Sequence, residues 1–375
     1  MTNTPTTRPT DLGDDEATAL VVGATGIAGR ALSHRLVDEG WRVLGLSRRS
    51  ASDVKGVEPV LADLTDADAL AEALRGHRPT HVFLTAWAKQ ETEEENIAVN
   101  GAMVRDVLAA VRDAASVRHV ALVTGLKHYL GPFEAYGEGE IPDTPFHEDE
   151  ERLPYPNFYY AQEDELFAAA ERDGFTWSVH RAHTMVGHAV GNAMNIAQTL
   201  AAYAAICRET GRPFTFPGSA TQWDGLTDVT SADLLADQLV WAATTPAAAD
   251  TAFNTANGDV FRWRWLWPRL ADALGVTPEG FEDEPRPLEE QVAGAAEPWG
   301  DTWRALAERE GLAEPDLDRV ASWWHTDGDL GRDMECLTDQ TRGRSAGWVG
   351  YRSTLDSFLD TFAELERLRV VPAAR

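Results

Sequence analysis

A parallel α/β sheet wound on both faces, carrying a smaller, mostly helical, aromatic-rich lobe, is predicted for this 375-residue chain by three observations. Short apolar runs alternate with helix-period segments through the first half, the pattern of strands joined by crossover helices. The first run ends in a glycine-rich turn that opens directly into a helix. Ten of the 13 tryptophans lie at or beyond Trp223, after that alternation has ended.

Taken in order, Thr18–Val22 is an apolar run ending at Gly23, and Ile27–Glu39 has helical spacing. Further strands are predicted at Arg42–Leu46, Glu58–Leu61, His81–Thr85, His119–Thr124 and Thr176–Arg181. Helices are predicted near Asp66–Leu74, Glu94–Ala114 and Tyr159–Glu171. Two more cover Asn192–Glu209 and Ser231–Thr244, the second returning to the sheet. Beyond them, helical segments are separated by Pro- and Gly-containing links such as Pro285–Pro287.

The formal charge is −28, with three lysines (Lys55, Lys89 and Lys127) against thirty arginines. So acidic a surface repels phosphate backbones and anionic lipid, which argues against nucleic acid and membrane partners. Cys207 and Cys336 are far apart and outside any paired motif, so neither a disulfide framework nor a cysteine metal site is expected. The first residues lack an apolar stretch, and the longest apolar run, around Ile196–Cys207, is too short to span a bilayer. A cytoplasmic protein is the expectation. A homodimer is compatible with the chain, whose oligomeric state the sequence leaves open.

Gly23-Ala-Thr25-Gly26-Ile27-Ala-Gly29 lies between an apolar strand and a helix. Glycines there allow a tight turn and close backbone approach, and the helix N-terminus offers amide N–H groups to a pyrophosphate. This predicts a Rossmann-type dinucleotide site. At the end of the second strand an NAD site usually has a carboxylate for the ribose 2′-hydroxyl. Here the residues are Ser47-Arg48-Arg49, and two guanidiniums suit a 2′-phosphate, so NADP(H) is the expected cofactor. Asp63, after the third strand, is placed to meet the adenine edge or to cap the helix that follows. The predicted organisation is a tail over 1–16, a nucleotide-binding domain over 17–185 and about 225–257, and a substrate lobe over about 186–224 and 258–375.

The Tyr-x-x-x-Lys pair of ordinary short-chain dehydrogenases is missing: Glu163 follows Tyr159 at that spacing, and Asp164 follows Tyr160. Among three lysines, Lys55 sits in a polar loop and Lys89 in a charged stretch. Lys127 leaves the fifth strand at the edge that borders the cofactor in such sheets. A lysine there can meet a tyrosine that starts the next helix and favour its phenolate.

Thr124-Gly-Leu-Lys127-His-Tyr-Leu-Gly-Pro-Phe133, Asn157-Phe-Tyr159-Tyr160-Ala-Gln-Glu-Asp164 and Thr176-Trp-Ser-Val-His-Arg181 resemble the progesterone 5-beta-reductase/iridoid synthase-like family of atypical extended short-chain dehydrogenases. The likeness continues through Tyr203–Cys207, Trp223–Gly225, Phe253–Phe261 and Gly347–Arg352, covering nearly the whole chain from about Ala19. The resemblance implies NADPH-dependent reduction of the activated C=C of enones and enals, with Lys127 and Tyr159 as the catalytic pair. It implies cofactor contacts at Thr25, Gly26 and Ile27, at Arg48 and Arg49, and at Asp63 and Leu64. It further implies Ala86, Val123, Met185, Asn192, Ala193 and Met194, the last also facing substrate. Phe133 matches a family pocket residue. Trp87, Trp348 and Tyr351 are candidate pocket walls. The chain departs from the pattern at Arg181-Ala-His183-Thr184, where plant members commonly have Arg-Pro-Gly-Asn, and at Ala86, where a Thr is common.

His180, His183 and His188 straddle a strand end without an evident carboxylate partner, and no metal is expected. Two rivals stand beside the enone reductase: reduction of the carbonyl itself by the same donor, and a non-catalytic NADPH-sensing protein. The sensor would need neither Tyr159 nor Lys127.

Overall fold

A computed structural model describes residues 17–49, 54–131, 143–192 and 194–374. The predicted tail, Phe133 and Ala193 lie outside the described residues. The strands are β1 Thr18–Val22, β2 Arg42–Ser47, β3 Val57–Leu61, β4 His81–Leu84, β5 His119–Thr124, β6 Thr176–Ala182, β7 Met185–Val186, β8 Phe214–Thr215, β9 Thr230–Ser231, β10 Thr251–Thr255 and β11 Pro278–Glu279. The first helices are α1 Ile27–Asp38, α2 Ala67–Leu74, α3 Glu93–Arg112, α4 Lys127–Leu130, α5 Phe158–Asp173, α6 Ile196–Thr210, α7 Ala220–Asp224 and α8 Ala232–Thr244. The lobe continues with α9 Trp263–Ala273, α10 Leu288–Ala293, α11 Trp299–Glu310, α12 Leu317–Val320, α13 Trp323–Leu330, α14 Thr341–Ser345 and α15 Thr354–Arg367.

Seven strands form one parallel sheet in the order β10-β6-β5-β4-β1-β2-β3. The chain runs outward from β1 to β3, then returns to the other side of β1 as β4. The switch point therefore lies between the C-terminal ends of β1 and β4, where open α/β sheets bind ligands. Leu20, Val22, Val82, Val120 and Leu122 pack on one face beneath α2, α3 and α5. Ala19, Val21, Phe83 and Ala121 pack on the other beneath α1 and α8. Burial on both faces explains why these strands read as continuous apolar runs rather than alternating ones.

The edge strand β10 was not among the predicted strands. Thr251-Ala-Phe-Asn-Thr255 is mixed in character, and its pairing with β6 supplies the definition that composition lacks. Asp250 locks the register, its carboxylate accepting from the Trp177 N–H at 3.1 Å. The short α4 also escaped prediction, and α6 begins at Ile196 rather than Asn192 because the Asn195 side chain caps it through Gln198 N–H, at 3.1 Å.

The lobe has its own core. Trp263, Trp267, Trp299 and Trp303 are fully buried there, and Phe214 stacks on Trp267 with ring centroids 4.1 Å apart. Ile196 through Cys207 is buried throughout, because α6 runs through the middle of this core. That accounts for the longest apolar run in the chain. Among the described residues, no helix is long and apolar enough to cross a membrane.

Candidate active site

The crevice at the switch point is built by close backbone approach. Gly29 rests on the Gly23 carbonyl so tightly that a Cβ would come within 2.2 Å of that oxygen. Gly23 adopts φ +89°, and a Cβ there would stand 2.8 Å from the Ala86 Cβ. Thr85 fixes β4 beside β1, its hydroxyl donating to the Val22 carbonyl at 2.7 Å. Helix α1 starts at Gly26 without a side-chain cap and without an acidic residue in its first turn. Its amide N–H groups and positive dipole end thus suit an anion, and the glycine cradle suits a pyrophosphate backbone. Thr25 is exposed on the crest of this loop. Ile27 is buried against Ala189 and Ala232, so its side chain belongs to the packing and only its backbone can meet a cofactor. Met185 packs against the same cluster.

Arg48 and Arg49 stand exposed at the end of β2. Asp63 accepts from the Thr65 N–H and hydroxyl at 3.0 and 2.8 Å, which, with Arg48 nearby, holds its carboxyl below the ordinary range. The cap of α2 is Asp66, not Asp63: its side chain accepts from Ala69 N–H at 2.9 Å. Leu64 and Val123 are half-buried at the margins of the two sheet cores. Asn192 approaches the phosphate loop, its amide nitrogen 3.7 Å from where a Gly26 Cβ would stand, and its side-chain oxygen accepts from Met194 N–H at 2.9 Å.

Lys127 and Tyr159, thirty-two positions apart, are stitched together by Asn157. Its side-chain oxygen caps α5 by accepting from Tyr159 and Tyr160 N–H at 3.0 and 3.3 Å, while its amide nitrogen donates to the Lys127 carbonyl at 3.3 Å. Lys127 is buried with Nζ 5.5 Å from the centre of the Phe158 ring, which itself contacts Tyr159 and stacks on Trp87 at 5.4 Å. The two adjacent tyrosines face different surroundings. Tyr160 donates its hydroxyl to the His128 carbonyl at 2.7 Å and accepts from Leu153 N–H at 2.9 Å, so it serves as a structural tie. The Tyr159 hydroxyl lies over Gly125 at the C-terminal end of β5, 3.2 Å from where a Cβ would be. A side chain at 125 would displace it.

One electrostatic expectation needs correcting. Lys127 was expected to lower the Tyr159 pKa, yet burial, reinforced by the Glu93 carboxylate, pushes this phenol above its ordinary value. The direction of that shift favours the protonated phenol. Glu93 had no role in the sequence reading; it accepts from Phe158 N–H at 2.8 Å and so holds the first turn of α5. Asn96 and Asn100, both buried on α3, brace the loop bearing Trp87 and Lys89: Ala88 N–H donates to Asn100 Oδ1 at 2.8 Å and Gln90 N–H to Asn96 Oδ1 at 2.9 Å. Lys89, set aside as a charged-loop residue, places Nζ 3.6 Å from the centre of the Trp324 ring on α13. This contact ties the loop after β4 to the lobe.

Trp348 and Tyr351 are not part of this site. Trp348 packs on Trp241 at 5.4 Å behind the edge strand, and Tyr351 is exposed beside Gly258. Nor do the three histidines converge. His180 bonds Gln238 and Ser178, whereas His188 lines a cavity of about 380 Å³ between α1, α8 and α15. His183 is paired with the buried Asp228, a carboxylate distant in sequence that no local pattern could reveal.

The NAD dependent epimerase/dehydratase family matches residues 19–256. A 3-oxo-Delta(4,5)-steroid 5-beta-reductase from Arabidopsis thaliana is 37% identical over 370 residues, covering 95% of this chain and 94% of that protein. An (S)-8-oxocitronellyl enol synthase from Camptotheca acuminata is 37% identical over 371 residues, covering 96% and 94% respectively. The chain belongs to the progesterone 5-beta-reductase/iridoid synthase-like family. This family member is an oxidoreductase of the short-chain dehydrogenase class. Among solved structures, a UDP-glucose 4-epimerase from Thermotoga maritima shares its fold with TM-score 0.64 at 15% identity, covering 93% of this chain and 98% of that one. The NAD complex of WbmG from Bordetella bronchiseptica does so with TM-score 0.64 at 15% identity, covering 96% and 97%.

Proposed function

We propose that this family member uses NADPH to reduce the activated C=C of enones or enals. The observation that carries the reading is the Tyr159 hydroxyl, a protonated donor over Gly125 at the rim of the dinucleotide crevice, while its neighbour Tyr160 is engaged elsewhere. When bound, NADPH would be held by the glycine loop and by Arg48 and Arg49 at the end of β2, and would supply a hydride for the β-carbon. Within the cleft, Tyr159 donates to the carbonyl oxygen as the electron pair of the C=C moves toward it, stabilising the enolate. Lys127, buried with its Nζ over the Phe158 ring, is the second member of the proposed catalytic pair. Solvent then protonates the α-carbon, giving the saturated carbonyl. Trp87, Phe158 and Trp324 supply apolar walls that exclude water. The two buried cysteines are free thiols, which fits a reducing cytosolic compartment.

The test offers 2-cyclohexen-1-one and an acyclic enal with NADPH and identifies the product by mass and NMR. A saturated ketone or aldehyde is expected. Allylic alcohol would show attack on the carbonyl carbon instead, and absence of turnover over a broad enone panel would overturn the reading.

NADPH rather than NADH is the proposed donor because Arg48 and Arg49 end β2 where a carboxylate would otherwise bind the 2′-hydroxyl. Replacing both by Ala should raise the NADPH KM with little change in kcat. Each charge-assisted contact to phosphate is worth about 1.5–3 kcal/mol, and the exposed setting favours the lower end, about tenfold per arginine. Steady-state kinetics with both cofactors check this. Equal NADH and NADPH efficiency in the parent enzyme would refute the assignment.

A further inference from the structure

A second body of the protein reaches the same end of the cofactor crevice. The turn at 189–192 links the sheet domain to the lobe, and Gly191 there adopts φ +80°, a conformation that suits glycine. Its N–H donates to the Arg319 carbonyl on α12 at 2.7 Å, fastening the turn to the lobe. The position of a Gly191 Cβ would be 3.9 Å from Arg319 Nη2 and 4.0 Å from Arg49 Nη2. Two guanidiniums, one from the end of β2 and one from the lobe, therefore converge on a single glycine. On the other side of the turn, Asn192 leans on the phosphate loop. Arg319 is held in this attitude by Glu314, whose Oε2 is 2.7 Å from Arg319 Nε, while Nη2 is directed to Gly191.

Like charges brought to one point repel, and an anion between them reverses the sign of the interaction. The 2′-phosphate of NADPH is such an anion, and Arg48 and Arg49 already mark its end of the crevice. We propose that Arg319 is a third guanidinium of the 2′-phosphate site, contributed by the lobe, so that binding NADPH ties the lobe to the sheet domain. The inference rests on the NADPH reading above. It adds a cofactor-binding residue from a segment far in sequence from the glycine loop, and it makes the phosphate a link between the two bodies.

The experiment measures equilibrium binding of NADPH and of NADH, by nicotinamide fluorescence, to the parent protein, Arg319→Ala and Arg319→Lys at two salt concentrations. Arg319→Ala should weaken NADPH binding about tenfold, the scale of one partly exposed charge-assisted contact, while NADH binding stays at the parent value. The salt dependence of NADPH binding should fall in parallel, and Arg319→Lys should recover part of the loss. Unchanged NADPH affinity in Arg319→Ala would overturn the proposal. Equal weakening of both cofactors would also overturn it, because Arg319 would then only brace the turn. Should the parent itself bind NADPH and NADH alike, the fault would lie with the NADPH reading and not with Arg319 alone.

Discussion

Tyr159→Phe should bind NADPH as the parent does and lose about 10²–10³ in kcat, the scale for removing one preorganised oxyanion donor. The ring keeps its contacts with Phe158, so only the hydroxyl over Gly125 is lost. Tyr160→Phe should show the opposite profile. It removes the bond to the His128 carbonyl and leaves Leu153 N–H without its acceptor, which costs about 1–3 kcal/mol of stability while turnover stays near the parent value. Measuring kcat and denaturant midpoints on both variants separates the two roles. An inactive Tyr160→Phe beside an active Tyr159→Phe would reverse the assignment. Because burial and Glu93 raise the Tyr159 pKa, the phenol stays protonated through neutral and mildly alkaline pH, and no alkaline limb from this group is expected there. Glu93→Gln removes one of the two causes and should bring such a limb to lower pH.

Asp228→Ala should be strongly destabilising. His183 and Asp228 are both buried and paired, and the second Asp228 oxygen accepts from Thr338 N–H and hydroxyl at 3.0 and 2.8 Å. Removing the carboxylate leaves an uncompensated buried imidazolium and two orphaned donors, a loss of about 3–5 kcal/mol. Denaturant unfolding reads it directly. Burial acts to lower the His183 pKa, but Asp228, assisted by Cys336, outweighs it and the imidazole is pushed up to about 10. The folded pKa thus exceeds the unfolded value of about 6.5, so the stabilisation is complete below that pH and is lost as pH rises toward 10. In that window the folded state holds one more proton, and this group lowers stability by at most about 1.4 kcal/mol per pH unit. His183→Gln should flatten that slope. A parent slope equal to that of His183→Gln would mean the imidazole is neutral in the folded protein.

This pair also revises the meaning of the Ala182-His183-Thr184 departure. Seen as sequence, a histidine in place of glycine beside the nicotinamide end suggests altered substrate contact. In the structure its ring turns inward to Asp228 and its backbone pairs with Thr230, at 3.2 Å through both N–H and carbonyl. The histidine side chain joins the end of β6 to Asp228 and, through that carboxylate, to Thr338 of the lobe.

The glycine loop and the arginine pair were legible because each depends on local chemistry at the end of a strand, whereas Lys127 and Tyr159 are distant in sequence and linked through Asn157, to which the sequence reading gave no role. Strand β1 was legible as a continuous apolar run, and α1 and α3 because their helical periodicity runs over three or more turns. What stayed hidden depends on partners distant in sequence. Glu93 acts through a backbone N–H sixty-five residues away, and Lys89 through an aromatic ring on the far lobe. Trp348 misled because an aromatic residue inside a familiar motif looks the same whether it lines a cleft or closes a sheet edge. Only Trp241 behind it distinguishes the two.

The late position of β10 in the chain constrains how this enzyme can be rebuilt. Helix α6, the centre of the lobe, precedes in the chain the strand that completes the sheet, and most of the lobe follows β10. Neither body is a contiguous cassette. A chimera that exchanges one uninterrupted stretch carrying the lobe would take α8 and β10 with it, leaving mismatched halves in the sheet core. Transplanting substrate range onto this scaffold therefore requires two coordinated crossovers flanking β10, or point changes confined to the proposed Trp87, Phe158 and Trp324 walls.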